Sequence, residues 1–599
     1  MFDESLQSLT VDLLKQRLKL LDTSERPTRK ADIAAVIRAH MLSPRCRDYF
    51  QRLDELEKKA VAEAVHAWGG DFDAVRFRAK YGKIPDYFVN RSYGYRSSRP
   101  PPYRGSMPLF FYDGTIPGDL RELLAAFVSA PETDALRTVP EAAIPRLFDF
   151  GRKEAEKVPV RRLAMEPVIR HDLPALLHLV DSGQISVSDK TGQAGAAAVR
   201  KLEDVLLGGD FYTAEEDRSL DRRQGGPIRP IRPFAWPLLL QAGGLARRNG
   251  KKLELTRKGR KALTAPLEET IRDLYERWCA KGMLDEYRRV DLVKGQNGKG
   301  RRMTAVSERR MVIGDALEEC PSGEWIAINE LFRYMQAVGH DFEVAHDYWK
   351  LYVMDSQYGS LGYGGCHGFG ILQGRYILAY LFEYLATLGL VDLVYTLPYG
   401  VRSDYSGMWG TDELEFFSRY DGLLYFRLNP LGAYCLGLEE EYRPVEPESE
   451  PLLTLDADLR IALLREAEPG ERLLLEQYAE PAAAGGWRMT PEAILKAMEQ
   501  GRDPELFHTF LRSHAAADLP PAAEQLFEAA GERLSAIADG GPARLLQCAS
   551  AALAGMIAAD PATQAFCLHA GGRTLAVPEK SEKAFRKGLS KLGYIYPRK

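Results

Sequence analysis

The sequence predicts a mainly α chain with small β wings, an α+β class built from tandem winged-helix domains, and two segments carry most of that expectation. Residues 234–263 read FAWPLLLQAGGLARRNGKKLELTRKGRKAL, and residues 378–437 run from LAYLFEYLATLGLVDLVY to DGLLYFRLNPLGAYCLG. In each, an apolar helix ends in a glycine turn, Ala242-Gly243-Gly244-Leu245 or Thr387-Leu388-Gly389-Leu390. A strand follows, then a second strand closing on Leu-Thr-x-x-Gly (Leu255, Thr256, Gly259) or Leu-Asn-x-x-Gly (Leu428, Asn429, Gly432). Helix, strand, wing, strand is the order of a winged-helix ending, and modules of that kind bind DNA or other proteins more often than they catalyse. The third observation is length. At 599 residues the chain exceeds one core, and one domain per ~150 residues suggests about four.

Composition narrows the class. With 45% hydrophobic and 27% charged residues the chain is ordinary globular protein, and a net charge of −4 means that any nucleic-acid surface must be a local patch. The cysteines (46, 279, 320, 366, 435, 548, 567) form no C-x-x-C pair and have no histidine at zinc spacing, which suits buried thiols in a reducing compartment. The start, MFDESLQSLT, is acidic rather than basic then apolar, and no apolar run approaches the ~20 residues that span a bilayer. A soluble cytoplasmic protein without membrane association is the expectation.

Along the chain, residues 1–86 read as a helical region. Leu9, Leu13, Leu14, Leu18 and Leu21 mark one apolar stripe, and Ile33, Val36, Ile37 and Met41 mark the next, around a Pro-Thr-Arg-Lys turn. This hairpin resembles a SAP-type DNA-binding motif, with Pro27 where a glycine is usual; a plain helical hairpin has the same pattern. Residues 47–82 continue as amphipathic helix to Tyr81-Gly82. Residues 87–165 read as a loop and helical connector. In it Arg96, Arg99, Tyr103 and Arg104 belong to an Arg/Tyr/Pro-rich stretch that suits phosphate contact and base stacking, or packing on its own tyrosines. Residues 166–305 form the first winged-helix module, with a strand near Ile185–Ser188 and a helix beginning near Ala194. Residues 306–445 form the second. The acidic, Pro-rich EEEYRPVEPESEPL after 438 marks a domain edge, and 446–599 forms the last domain. There Leu453–Leu459 reads as strand, followed by helices through about 558, two weak strands at Ala565–Leu568 and Thr574–Val577, and a closing helix.

No catalytic motif is complete. Gly295–Arg302 has G-x-x-x-x-G spacing but Arg301-Arg302 where a P-loop needs Lys-Ser/Thr. The glycine-rich 359–370 has no G-x-G-x-x-G register, and Cys366 beside His367 lacks a third group. Asp54, Glu57 and Lys59 offer a nuclease composition, but on an amphipathic helix where charges solvate one face. No catalytic residue, metal site or cofactor is expected.

The strongest patch is the first wing. Arg247, Arg248, Lys251, Lys252, Arg257, Lys258, Arg260 and Lys261 face one acid, Glu254, and such a ridge displaces counterions from a phosphate backbone. A second basic stretch, Arg288, Arg289, Lys294, Lys299, Arg301, Arg302, Arg309 and Arg310, extends the expected face. The second wing differs. Asp404, Asp412, Glu413, Glu415 and Asp421 lie among Trp409, Phe416, Phe417, Tyr420 and Tyr425, a mixture suited to protein contact or internal packing.

Residues 452–599 resemble the helicase-associated domain found with XPB/Ssl2-type helicases and in bacterial stand-alone relatives. The resemblance rests on Trp487-Arg488-Met489-Thr490-Pro491, Ile494, Ala497, Gly501, Phe510-Leu511 and Leu519-Pro520, with Thr490 as N-cap and Pro491 opening a helix. Relatives continue with a basic segment, whereas 521–565 here is Ala-rich and nearly neutral. Nothing resembles the ATPase motor. The resemblance implies a non-catalytic DNA-binding scaffold acting with a separate helicase or nuclease in DNA repair or defence against foreign DNA. The alternatives are a winged-helix transcription regulator, a protein-interaction subunit without DNA contact, and an unrecognised metal-dependent nuclease.

Overall fold

A computed structural model describes the chain apart from residues 1, 93–104, 150–156, 217, 219–229, 264, 297–302, 364–367, 445–450, 466, 468, 483–485, 500–501, 503, 537–540 and 598–599. About 49% is helix and 13% strand, the strands gathered in small sheets, so the class is α+β. Among the described residues no helix is long and apolar enough to cross a membrane. The chain divides into two compact units, Met1–Glu448 and Ser449–Lys599.

The first unit opens with short capped helices. Val11–Leu18 starts at Thr10, whose hydroxyl accepts from Leu13 N–H, and Lys30–Met41 follows. Leu14, Leu18, Leu21, Ile33, Ile37 and Met41 are buried, while Leu9, Leu13 and Val36 border them. With Leu109–Tyr112 they belong to a core running from Phe2 to Val128. Helix Glu55–His66 begins with a capping box: Asp54 accepts from Glu57 N–H and the Glu57 carboxylate accepts from Asp54 N–H. Those carboxylates cap the helix start, a structural role for Asp54 and Glu57. Helix Ala74–Tyr81 closes on Gly82 at φ +81°, a left-handed position that glycine adopts without strain.

One element order then occurs twice. The first copy comprises helix Met165–Asp181, the bridge residues Ser186 and Val187, helix Ala196–Val205, helix Arg232–Ala242, strands Ala246–Asn249 and Lys252–Leu255, and helix Arg257–Ala262. The second comprises helix Val306–Glu318, strand Trp325–Ala327, helix Ile328–Val338, a helical run over 370–385 with π turns at both ends, strands Val391–Tyr395 and Leu423–Leu428, and helix Pro430–Leu436. In the first copy Val187 N–H donates to Lys251 O (2.8 Å) and Leu253 N–H to Ile185 O (3.0 Å), adding an outer strand to the hairpin. In the second, the antiparallel sheet runs Arg161–Leu163, Val391–Tyr395, Leu423–Leu428, Trp325–Ala327.

The shared Leu-Thr/Asn-x-x-Gly ending has one physical cause. Thr256 and Asn429 cap their helices by accepting from Gly259 and Gly432 N–H at 3.1 and 2.9 Å. The cap presses the helix start onto the strand before the hairpin. A Cβ on Gly259 would lie 2.1 Å from Leu245 O, and one on Gly432 2.0 Å from Leu390 O. The preceding turns match as well, with Gly244 at φ +75° and Gly389 at φ +76°.

Both copies share a single hydrophobic core from Met165 to Cys435. Its centre is the third helix of each copy: every residue of Arg232–Ala242 is buried, as is every residue from Arg375 to Leu385. These helices are covered on every side, their few charged groups (Arg232, Arg375 and Glu383) paired inside, so no face is left for water. They pack on each other and on helix Leu267–Ala280, where Trp278 stacks on Tyr384 at 5.1 Å.

The second unit holds two sheets. Leu453–Leu455, Arg460–Leu463, Trp487–Arg488 and Glu480–Pro481 form one, with helices Pro469–Tyr478, Pro491–Glu499, Pro504–His514 and Pro521–Ala536. Thr490 Oγ1 accepts from Ala493 N–H at 3.1 Å, the expected cap. Ala543–Gln547, Thr574–Pro578 and Leu568–His569 form the other, backed by Ala551–Ala559 and Glu582–Lys591. The expected all-helical run to about 558 is therefore corrected at Arg460–Leu463, Glu480–Pro481, Trp487–Arg488 and Ala543–Gln547. The leucines of Ala543–Gln547 favour helix alone, but all five residues pair with Thr574–Pro578, and the ladder overrides propensity. Of the strand expected at Ala565–Leu568 only Leu568 pairs in a sheet, because Gln564–Phe566 coils as a 3-10 turn and Cys567 is extended but unpaired in the ladder.

Candidate nucleic-acid interface

The hairpin of the first copy is a two-stranded ribbon in which Arg247 faces Glu254, Arg248 faces Leu253 and Asn249 faces Lys252. Ala246, Leu253 and Leu255 are buried and anchor its base, while Arg247, Arg248, Asn249, Gly250, Lys251 and Lys252 are exposed around the turn. Alternation along a half-covered strand places apolar side chains inward at the base and leaves the tip to charge. The helix after the hairpin adds Arg257, Arg260 and Lys261, all exposed.

Local partners restrain the tip, Asn249 donating to the Glu254 carboxylate. Arg247 stands 3.9 Å from Glu254, and Arg248 donates to the backbone oxygen of Asp189 at 2.6 Å. Lys258 differs from the other seven. Its ammonium pairs with Asp273 and donates to Gly243 O at 3.3 Å, so it braces the hairpin against helix Leu267–Ala280. Beside the hairpin lies a cleft of about 780 Å³ whose lining includes Ser186, Ser188, Thr191, Arg200 and Lys251, with Glu203 its acid.

Three residues of the second basic stretch, Arg289, Arg309 and Arg310, do not extend this face, a correction to the sequence expectation. Arg289 is buried against Glu383 at 2.9 Å, Arg309 against Asp285 at 2.7 Å, and Arg310 donates to Glu286 at 2.7 Å. Tyr376 O–H donates to the other Glu286 oxygen at 2.6 Å, and Tyr420 O–H donates to Glu383. A buried guanidinium needs such partners, and none of these three faces solvent. Arg288 and Lys294 remain exposed. Arg301, Arg302 and Lys299, the loop residues Arg96, Arg99, Tyr103 and Arg104, and Cys366 and His367 lie outside the described residues.

The acidic, aromatic segment of the second copy divides in two. Phe416, Phe417, Tyr420 and Asp421 are buried, and Asp421 with Asp404 brackets Arg375 at 2.9 and 2.6 Å. Arg375 holds the Asp404 carboxyl below its usual range, against the opposing push of burial. Trp409 stays outside, 54% exposed, with its ring 5.3 Å from Tyr358, itself 57% exposed. Met354, exposed beside Gly410, holds the left-handed φ of +62° that β-carbon residues avoid. Exposed Asp355, Asp412 and Glu413 flank the three in sequence.

Among the described residues no group of three or more His, Cys, Asp or Glu side chains is placed to hold a metal ion. The described cysteines are unpaired thiols. Compared with known proteins, the chain matches no protein family and no curated protein.

Sequence reasoning found the exposed hairpin and missed the burial of the third helices. The signal was present, since RPFAWPLLLQA and RYILAYLFEYL carry no polar stripe.

Proposed function

We propose that this protein is a DNA-binding scaffold whose two repeated segments are winged-helix modules, and that the hairpin Ala246–Leu255 is the DNA-contacting wing. The observation that carries this reading is the cluster of exposed cations on that hairpin and the helix after it, Arg247, Arg248, Lys251, Lys252, Arg257, Arg260 and Lys261. Seven exposed cations on one hairpin and the helix after it, in a chain of net charge −4, make a local anion-binding surface. The resemblance of residues 452–599 to a helicase-associated domain supports a place beside a separate helicase or nuclease, in repair or in defence against foreign DNA.

The test is DNA binding by the full chain across a salt series, set beside a variant with Ala at Arg247, Arg248, Lys251 and Lys252. Steep salt dependence that flattens in the variant supports the reading. Binding unchanged in the variant moves the interface elsewhere.

A second reading, a protein-interaction subunit, is favoured by Trp409, Tyr358 and Met354. Exposed Trp, Tyr and Met beside carboxylates have the composition of a binding hot spot for a partner with a basic, apolar surface. The two readings combine if the first module holds DNA while the second holds the partner.

A further inference from the structure

We infer that this chain grips duplex DNA by its phosphate backbone, through the wing and the cleft beside it, without reading base sequence. The inference rests on the DNA-binding reading above and narrows it to one substrate class, the double helix of any sequence.

The first argument is what cannot reach a base. In helix-turn-helix docking the recognition helix lies in the major groove and its side chains contact base edges. The positional equivalents here are Arg232–Ala242 and the run through Arg375–Leu385, and all of their residues are buried. They pack on each other, so presenting either one would open the core that both copies share. The one guanidinium at the start of Arg232–Ala242 is itself committed, Arg232 pairing with Asp172 and donating to Leu207 O at 2.9 Å.

The second argument is the chemistry of what remains exposed. Between Ala246 and Ala262 the wing and its following helix carry no aromatic residue, hence no platform for an unpaired base. The exposed rings Tyr358 and Trp409 belong to the other copy, next to Asp355, Asp412 and Glu413, where phosphate is repelled. The cleft adjoining the wing offers hydroxyls of Ser186, Ser188 and Thr191 with Arg200 and Lys251, groups suited to phosphate and sugar oxygens, against the single carboxylate of Glu203. Exposed cations on the wing and the helix after it, beside the hydroxyls of this cleft, fit a continuous charged strand of the double helix.

The experiment measures binding of the full-length protein to labelled short duplexes of unrelated sequence and to a single strand, with selection from a random duplex pool. Two variants accompany it: Ala at Arg247, Arg248, Lys251 and Lys252, and the charge-conserving pair Arg247→Lys, Arg248→Lys. The inference expects duplex affinities within about threefold of one another, at least about tenfold weaker single-strand binding, and no enriched motif. It also expects the Lys pair to bind like the parent, because a phosphate accepts either cation, whereas a guanine held by the planar guanidinium fork is bound less well by an ammonium. The Ala variant should lower the salt slope by about two to four, at about 0.9 for each phosphate no longer neutralised.

An enriched motif, a preference for single strand or loss of binding in the Lys pair would overturn the inference while leaving DNA binding intact. Absence of duplex binding at low salt would remove the reading on which it rests, and the inference with it.

Discussion

At the scale of single residues, backbone approach and burial decide most outcomes. Gly432→Ala would drive a Cβ to within 2.0 Å of Leu390 O, and we expect it to destabilise unit 1 by about 3 kcal/mol in urea unfolding. Gly407→Ala meets nothing within 4 Å and should change stability by less than about 0.5 kcal/mol. Glu286→Ala strands the Arg310 guanidinium in the core and should cost about 3–5 kcal/mol, whereas Glu286→Gln with Arg310→Met should cost less. The thiols give a chemical readout of the same burial. Cys46 and Cys320 are pushed up to about 12 and Cys279 to about 11, chiefly by desolvation. Their folded-state values lie well above ambient pH, so they stay protonated and non-nucleophilic. Iodoacetamide at about pH 8 should leave all three unmodified until denaturant is added, as mass spectrometry would show.

At the scale of elements, the wing separates stability from binding. Ala at Arg247, Arg248, Lys251 and Lys252 removes exposed charge and should shift unfolding by less than about 0.5 kcal/mol while weakening DNA binding. Lys258→Ala reverses the pattern: it frees Asp273 and the Gly243 carbonyl, so it should cost about 1 kcal/mol of stability with a smaller loss of affinity. The same contrast shows what the sequence could disclose. Thr256, Gly259, Asn429 and Gly432 were legible because caps and tight approaches are local, written within four residues. Arg289, Arg309 and Arg310 looked like Arg247 and Arg248 in the sequence, because the acids that neutralise them sit far along the chain: Glu383 is 94 residues from Arg289, and Glu286 is 24 from Arg310. Charge density in sequence therefore marks a surface only where no distant carboxylate comes to meet it. Ala543–Gln547 was illegible for a parallel reason, since its partner strand Thr574–Pro578 is non-local.

At the scale of the whole molecule, two compact units predict that residues 1–448 expressed alone fold cooperatively and retain the DNA affinity of the wing, which circular dichroism and the same binding assay would check. A cut between the two copies, giving residues 1–305, should instead yield aggregate, because the core from Met165 to Cys435 would be opened along its middle. The α+β class was legible from helix and strand order, but the pairing of the copies was not: RYILAYLFEYL declares that it will be covered without naming Arg232–Ala242 as the cover. That mutual covering has an evolutionary consequence. A recombination event carrying one copy alone into another gene would deliver a third helix stripped of its cover, so the shortest segment expected to move between genes intact spans residues 161–436. The copies are therefore expected to be inherited as a pair, with divergence in one third helix answered by change in the other.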